Sequence, residues 1–339
     1  MTDQSAPLGV AIVGLGAFGL RYVESFAAEY GVDVRWGCDL DASRHESALA
    51  AGAQKVTTDL AKALADPLVQ AVVIATPEEY HRDVAIAASD AGKHVIVEKP
   101  LATSDDDATA MIDAAARAGT MLLPAFLLRF DRRYATVAQR LKEIGTVRSV
   151  YAYRNFDRSL FDQYGRSHSF VENAIHDIDL IRWYVDDVVV NAHGFCRNTV
   201  GAPNPDINWG VLEFGGGAIA VLQTSWMYPA QAGENLQWNS GIQLMGDSGV
   251  LEVRHDADGL RIHTSEVGQA VIDQTAWATI YGEPRGAFGG MVRHFVATLR
   301  GQVPPAGATA QDAREATRIA QRLIHDAGER GLPRAAARP

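Results

Sequence analysis

The chain has 339 residues, more than a single domain of about 100–150 residues accommodates, so two domains are expected. Apolar residues make up 47% and charged residues 21%, which excludes a chain that is disordered throughout. The net charge is −10 and no basic cluster interrupts it, which argues against a nucleic-acid partner.

In chain order, Leu8 to Val13 is an unbroken apolar run, the pattern of a strand buried on both faces. A glycine turn follows, then a helical stretch from Phe18 to Tyr30, a second strand from Val32 to Cys38, and a helix from Ser43 to Ala51. Ala71 to Ala75 is a third buried run, ended by Thr76-Pro77. The helix from Glu78 to Ala91 is stopped by Gly92. Val95 to Val97 is a strand cut off by Glu98-Lys99-Pro100. Asp105 to Ala118 is helical, and Met121 to Phe126 is the next strand. This alternation predicts a doubly wound parallel sheet.

Beyond Phe130 the texture changes. A helix is predicted from Asp131 to Ile144, a long strand from Val147 to Phe156, and a helix from Val171 to Val185. Closely spaced strands follow: Val188 to Cys196, Trp209 to Phe214, Ala218 to Trp226, Ile242 to Met245, Val250 to Val253 and Leu260 to His263. Gly215-Gly216-Gly217 reads as a hairpin turn. The fold class expected is therefore α/β: a doubly wound domain over residues 1–128, then an α+β domain over 129–332 with an open, mostly antiparallel sheet. A last helix over 311–327 is a candidate to pack back on the first domain.

Gly14-Leu15-Gly16-Ala17-Phe18-Gly19 has the G-x-G-x-x-G spacing. The motif alone is weak, but here it follows a buried strand and opens a helix, the context that pyrophosphate binding requires. The first glycine permits the tight turn, the second lets backbone approach the anion, and the third lets helix and strand pack closely. Free N–H groups at the helix start then face the charge. Asp39 lies 20 residues after Gly19, at the end of the second strand. Its carboxylate suits both adenine-ribose hydroxyls and repels a 2′-phosphate, which favours NAD over NADP. Arg44 nearby could turn toward a phosphate. A solvated turn aspartate is the plain alternative.

Ligands of such sheets bind beyond the carboxyl ends of the strands. Two of those ends carry Thr76-Pro77, with His81 a turn further on, and Glu98-Lys99-Pro100. The proline restricts Lys99 to extended or turn backbone, and an ammonium there can orient a hydroxyl and stabilise oxyanion charge. Glu172, His176 and Asp179 fall at i, i+4 and i+7, so a continuous helix would put them on one face. A carboxylate beside a histidine is a base with its orienter; a salt-bridged surface face has the same spacing. A metal reading of His168, His176 and Asp179 lacks a second ligand pair.

Cys38 and Cys196 are far apart and form no CxxC, which fits a reducing compartment. Met1 to Pro7 has no basic-then-apolar leader pattern, and the apolar run Met121 to Leu128 is too short for a bilayer. A cytoplasmic protein without membrane partners is expected.

Together these residues resemble the glucose–fructose oxidoreductase, inositol dehydrogenase and rhizopine catabolism family (Gfo/Idh/MocA). The resemblance rests on the Gly14–Gly19 turn, Ala75-Thr76-Pro77 with His81, and Ala91-Gly92-Lys93-His94-Val95 leading to Glu98-Lys99-Pro100. It continues through Leu128-Arg129-Phe130-Asp131 and His176-Asp177-Ile178-Asp179, nearly the whole chain. It implies a nicotinamide cofactor, a polyol, sugar or cyclitol substrate, and a homodimer or homotetramer formed through the open sheet face. It implies Lys99 as the catalytic lysine, a cis Lys99-Pro100 bond, and His176 as the catalytic histidine. Glu172 stands where inositol dehydrogenases usually have aspartate. Arg129 and Asn155 correspond to positions lining the substrate pocket, and Tyr228 and Tyr281 correspond more loosely. The resulting expectation is an NAD-dependent dehydrogenase of a secondary alcohol; the alternative is a dinucleotide-sensing regulator of the same fold without turnover. No metal is expected.

Overall fold

The computed structural model describes residues 7–161, 165–228, 238–254, 260–264, 268–272, 277–281 and 283–330. The chain divides into two compact units: Met1–Phe130 with Ala276–Arg314, and Asp131–Thr275 with Glu315–Pro339.

The first unit is a parallel sheet flanked by helices. Its elements are β1 (Leu8–Val13), α1 (Ala17–Ala27), β2 (Val32–Cys38), α2 (His45–Ala50), β3 (Val56–Thr57), α3 (Leu60–Ala65), β4 (Ala71–Ile74), α4 (His81–Asp90), β5 (His94–Glu98), α5 (Asp105–Ala118) and β6 (Leu122–Ala125). The strand order is β3-β2-β1-β4-β5-β6, every pair parallel. The order reverses between β1 and β4, so the carboxyl ends of those strands frame the ligand crevice. All residues of β1 and of β4 are buried, as their unbroken apolar runs predict. Helix α5 shows how local chemistry sets the ends. The Ser104 hydroxyl accepts from Asp107 N at 3.1 Å, Asp105 to Asp107 complement the helix dipole, and Gly119 stops the helix at φ +66°.

The short pair α3 and β3 was not visible as elements in the sequence, since six and two residues are too few to show a period. A larger omission is the helix Gly286–Leu299, which belongs to this first unit and not to the second, where the 129–332 boundary would put it. Its Phe288, Met291, Val292, Phe295 and Val296 enter the same apolar core as Tyr22 and Phe26 of α1. Burying a side chain of that size contributes roughly 1.5–3 kcal/mol, which is the physical reason the chain returns.

The second unit is built on α6 (Arg132–Ile144), β7 (Val147–Asp157), α7 (Ser169–Glu172), α8 (Ile175–Val185), β8 (Val189–Arg197), β9 (Ile207–Phe214), β10 (Ile219–Tyr228), β11 (Trp238–Gly246) and β12 (Val250–Arg254). The sheet order is β12-β11-β7-β10-β9-β8. It is antiparallel except for the central β7–β10 pair, which is parallel. Gly215 to Gly217 form the expected hairpin between β9 and β10, with Gly217 at φ +89°. Two small pairs follow, β13 (Leu260–Thr264) with β14 (Gly268–Ile272), and β15 (Thr279–Ile280) with β16 (Glu283–Pro284). Gly286–Leu299 is α9 and Ala310–Glu329 is α10.

The first turn of α10 belongs to the first unit, where Arg314 pairs with Asp105 at 2.7 and 3.0 Å, and from Glu315 on the helix belongs to the second unit. Arg322 donates to Val189 O and Val190 O at 3.1 and 2.8 Å, and Gly194 N donates to Asp326 at 2.8 Å. A Cβ on Gly194 would stand 2.0 Å from Leu323 O, so only glycine lets the helix approach this closely. Among the described residues, no helix is long and apolar enough to cross a membrane.

Candidate functional site

The glycine turn is bound tightly on the protein side. Gly14 has φ +88°, and a Cβ there would lie 2.6 Å from Ala75 O; a Cβ on Gly19 would lie 1.8 Å from Gly14 O. Both positions therefore require glycine for packing. Gly16 differs: the nearest atom to its missing Cβ is Arg44 Nη1, at 3.7 Å. A side chain would fit there, so the absent Cβ leaves backbone open to a ligand. Ala17 is exposed and Phe18 half-buried, at the start of α1.

Leu15, expected in the cofactor turn, has its side chain in the core and its N–H donated to Asp39 Oδ2 at 2.7 Å. Asp39 Oδ2 also accepts from Arg44 Nη1 at 3.2 Å, and Oδ1 accepts from Asp41 N at 2.9 Å. A carboxylate offers about four acceptor positions. Three are engaged by these contacts, so the aspartate has room for one ribose hydroxyl where the sequence suggested two.

At the end of β4, the Thr76 hydroxyl is buried and has no hydrogen-bond partner among the described residues, while Pro77 is exposed. An open glycine backbone, an orphaned hydroxyl and an acidic residue ending β2 all stand at carboxyl ends of this sheet. They fit a dinucleotide: Gly14 to Gly19 for the pyrophosphate, Asp39 for the ribose, Thr76 for a polar edge nearby. His81 does not join them. It is 1% exposed, with Nδ1 2.9 Å from Pro100 O and Nε2 3.0 Å from Thr76 O, so its ring is spent on backbone.

Lys99 follows β5 and is half-buried; the Lys99-Pro100 bond is cis. Its N–H donates to Glu98 Oε2 at 3.1 Å, and Glu98 Oε1 accepts from the Tyr22 hydroxyl at 2.7 Å. Burial, with the Glu98 carboxylate alongside, raises the Tyr22 pKa well above its usual value, so the phenol remains a donor. Glu98 thus braces the lysine's backbone from α1. Tyr22 was not visible as a site residue, because nothing in its local sequence separates it from other core aromatics.

Arg129 is buried, and its guanidinium donates to Gly307 O at 3.0 Å and lies 3.6 Å from Asp312. That geometry clamps a loop of the first unit and lends no support to a substrate contact. Tyr281 is fully exposed at φ +53° between β15 and β16, and Tyr228 ends β10.

In the second unit, the single helix expected over 171–185 is two helices. Glu172 ends α7 and Ile175 begins α8, with Asn173 and Ala174 between them. Ala174 N bonds back to Ser169 O, and His176 N bonds to Asn173 O at 3.3 Å, so no regular i to i+4 ladder joins Glu172 to His176. The same-face argument for Glu172 therefore fails; only His176 and Asp179 share a helix. Glu172 is 8% exposed, Asp179 is buried and His176 is half-buried. Asn173 at the junction has a buried Nδ2 with no partner among the described residues, a polar group the sequence reading passed over.

A buried polar contact of this unit leaves no mark in the local spacing of the sequence. Arg154 of β7 and Asp177 of α8 form a buried two-pronged pair at 3.0 and 2.8 Å. Burial works against the Arg154 charge, but the Asp177 carboxylate holds it and the net shift is upward. Side chains on a strand alternate faces. Arg154 therefore points to the helices, while its neighbour Asn155 points to the open face. There Asn155 exchanges bonds with Gln223 at 3.3 and 2.7 Å and accepts from Ser225 at 2.7 Å. It stands on the opposite face from α8, so within this unit it is not part of a pocket with His176. A charged residue in a buried strand register was the available signal for Arg154.

His168 caps α7 by accepting from Phe170 N at 3.2 Å, and its Nε2 lies 3.8 Å from Cys196 Sγ. No group of three His, Cys, Asp or Glu side chains among the described residues is placed to hold a metal ion. Burial pushes the His168 pKa down to about 4, below the value of about 6.5 it has unfolded. Between those values the unfolded chain binds the extra proton, so stability is full above about pH 6.5 and falls as pH drops toward 4. The loss is about 3 kcal/mol at its limit. Urea titrations at pH 7 and 5 are expected to show this slope, and His168→Asn, which keeps a cap acceptor, to flatten it.

The first unit has the fold and glycine turn of a dinucleotide-binding oxidoreductase. Residues 8–126 match the "Oxidoreductase family, NAD-binding Rossmann fold", and residues 134–252 match the "GFO/IDH/MocA C-terminal domain". The chain belongs to the Gfo/Idh/MocA family. It is 32% identical over 186 residues to inositol 2-dehydrogenase of Salmonella typhimurium, covering 53% of this chain and 55% of that protein. The chain thus spans about half the length of that relative. It is 26% identical over 307 residues to D-apiose dehydrogenase of Paraburkholderia graminis, covering 86% and 80%. The crystal structure of myo-inositol 2-dehydrogenase from Lactobacillus plantarum superposes with a TM-score of 0.81 at 24% identity, covering 97% of this chain and all of that one (100%), a likeness of fold.

Proposed function

We propose that the protein is an NAD-dependent dehydrogenase that oxidises one secondary alcohol of a cyclitol or sugar, or reduces the matching ketone. The observation that carries this reading is Lys99 at the carboxyl end of β5, its backbone braced by Glu98, in the unit that also holds the open glycine turn. The names of the relatives, inositol 2-dehydrogenase and D-apiose dehydrogenase, support a polyol or sugar substrate.

A bound nicotinamide supplies the hydride acceptor for the carbinol carbon. The chain's own groups do the rest. Lys99 holds the carbinol oxygen and stabilises the charge that develops on it. His176 takes the hydroxyl proton. Glu172, buried three residues before α8 begins, is the carboxylate proposed to orient that ring. Gly14 to Gly19 and Thr76 hold the dinucleotide, and Asp39 selects NAD. The exposed Tyr151, Phe195, Trp209, Ile219 and Met245 support association of this chain with itself as a dimer or tetramer.

The test is spectrophotometric: purified protein with NAD or NADP and a panel of inositols, aldoses and lactones, followed at the nicotinamide absorbance. Turnover of a polyol that disappears in His176→Ala supports the reading. Bound NAD without turnover across the panel favours the regulator. For Asp39→Asn, the loss of one charged acceptor corresponds to roughly 1.5–3 kcal/mol, or a 10- to 100-fold rise in KM for NAD. NADP is expected to change little. A wild-type enzyme that already prefers NADP would contradict the role given to Asp39.

A further inference from the structure

We propose that His81 is a positioning residue that sets Lys99 by bridging two turns of the first unit, and that it does not bind the cofactor. The inference rests on the proposed role of Lys99. His81 opens α4, straight after the turn Glu78–Tyr80 that continues from Thr76-Pro77. Its ring is 1% exposed, and both nitrogens face backbone carbonyl oxygens: Pro100 O at 2.9 Å and Thr76 O at 3.0 Å.

One of those carbonyls belongs to the residue after Lys99, and the other to the residue whose orphaned hydroxyl marks the end of β4. The ring therefore ties the backbone at Lys99 to the edge of the dinucleotide crevice. A neutral imidazole donates to one carbonyl, an imidazolium to both. The ring nitrogen 2.9 Å from Pro100 O fixes the exit of the Glu98-Lys99-Pro100 turn, while the bond from Lys99 N to Glu98, itself held by Tyr22, fixes its entry. Lys99 is thus braced on both sides. Because the ring is buried and spent on main chain, it has no donor left for a ligand. Its removal is expected to misplace the ammonium without opening the glycine turn. A displacement of about 1 Å at a reacting group can cost on the order of 100-fold in rate.

The experiment compares wild type, His81→Phe and His81→Gln. Phenylalanine keeps a ring and removes both ring nitrogens; glutamine keeps one amide that can reach a carbonyl. For each protein, kcat, KM for the polyol and the NAD Kd from intrinsic fluorescence are measured. The acetylation rate of Lys99 in the folded protein is read by mass spectrometry against that of Lys93. The expected result for His81→Phe is a kcat about 10- to 100-fold lower, an NAD Kd within about threefold, and a changed Lys99 rate beside an unchanged Lys93 rate. His81→Gln is expected to recover about tenfold in kcat.

An unchanged kcat and Lys99 rate in folded His81→Phe overturns the proposal. So does an NAD Kd that rises while kcat holds, which would make His81 a cofactor residue. Should His81→Phe not fold, a His81→Gln protein with wild-type kcat and an unchanged Lys99 rate overturns it as well. If wild type turns over nothing but the Lys99 rate still responds selectively, the bridge stands and the dehydrogenase reading is what fails.

Discussion

Lys99→Ala is expected to lower kcat/KM by about 1,000-fold, with the NAD Kd changed only several-fold. Loss of a single charge-stabilising donor commonly costs 100- to 1,000-fold, or roughly 2.7–4 kcal/mol of barrier. The upper end is expected because the proposed mechanism loses a cation, not a neutral donor, from the carbinol oxygen. Dinucleotide affinity is expected to survive because the groups proposed to hold it, the Gly14–Gly19 turn and Asp39, are bonded independently of the lysine side chain. Lys99→Arg is expected to recover little, since a planar fork replaces a compact point charge in a turn braced for the latter. Steady-state kinetics with fluorescence titration of NAD decides the matter. A variant that keeps a tenth of wild-type kcat/KM would remove Lys99 from the mechanism.

The largest expected stability change lies in the second unit. Asp177→Ala removes the carboxylate from Arg154, whose side chain is 7% exposed, and strands a buried cation. Breaking one side of such a pair typically costs 3–5 kcal/mol, a large share of a domain's total stability. The whole α8 helix rests on this sheet, so His176 loses its support as well. Urea unfolding followed by far-UV circular dichroism is expected to show the midpoint drop. The double substitution Arg154→Met with Asp177→Leu is expected to regain most of it, because the charge and its partner leave together. A loss below about 1 kcal/mol in Asp177→Ala would mean that Arg154 reaches water or another acceptor.

Much of the first unit was legible because parallel strands buried on both faces leave unbroken apolar runs, and because glycines and caps mark their ends. The Gly14–Gly19 turn joins β1 to α1 and Gly92 follows the end of α4, as their positions announce. The site was legible only where chemistry is local. Asp39 and Lys99 stand at strand ends that any doubly wound sheet uses. Contacts between residues distant in sequence left no trace: Tyr22 under Glu98, Arg129 on Gly307, Arg154 on Asp177. Asn155 came from the resemblance and not from strand spacing, which by itself assigns no face to a lone asparagine. The Glu172–His176 pairing assumed one helix where Asn173 and Ala174 break it, and helical spacing has no meaning across a break. Helix α9 leaves little trace in the sequence because four of its first five residues are glycine or alanine, and its apolar face becomes evident only against the core it joins.

The most direct test of the central claim follows the hydrogen itself. The polyol with the highest turnover is prepared with deuterium on its carbinol carbons and incubated with NAD in ordinary water. The reduced cofactor is then analysed by mass spectrometry and proton NMR. Hydride transfer predicts one deuterium per reduced nicotinamide, on a single face of C4. Reduced cofactor without the label, or none formed while the dinucleotide is bound, would contradict it.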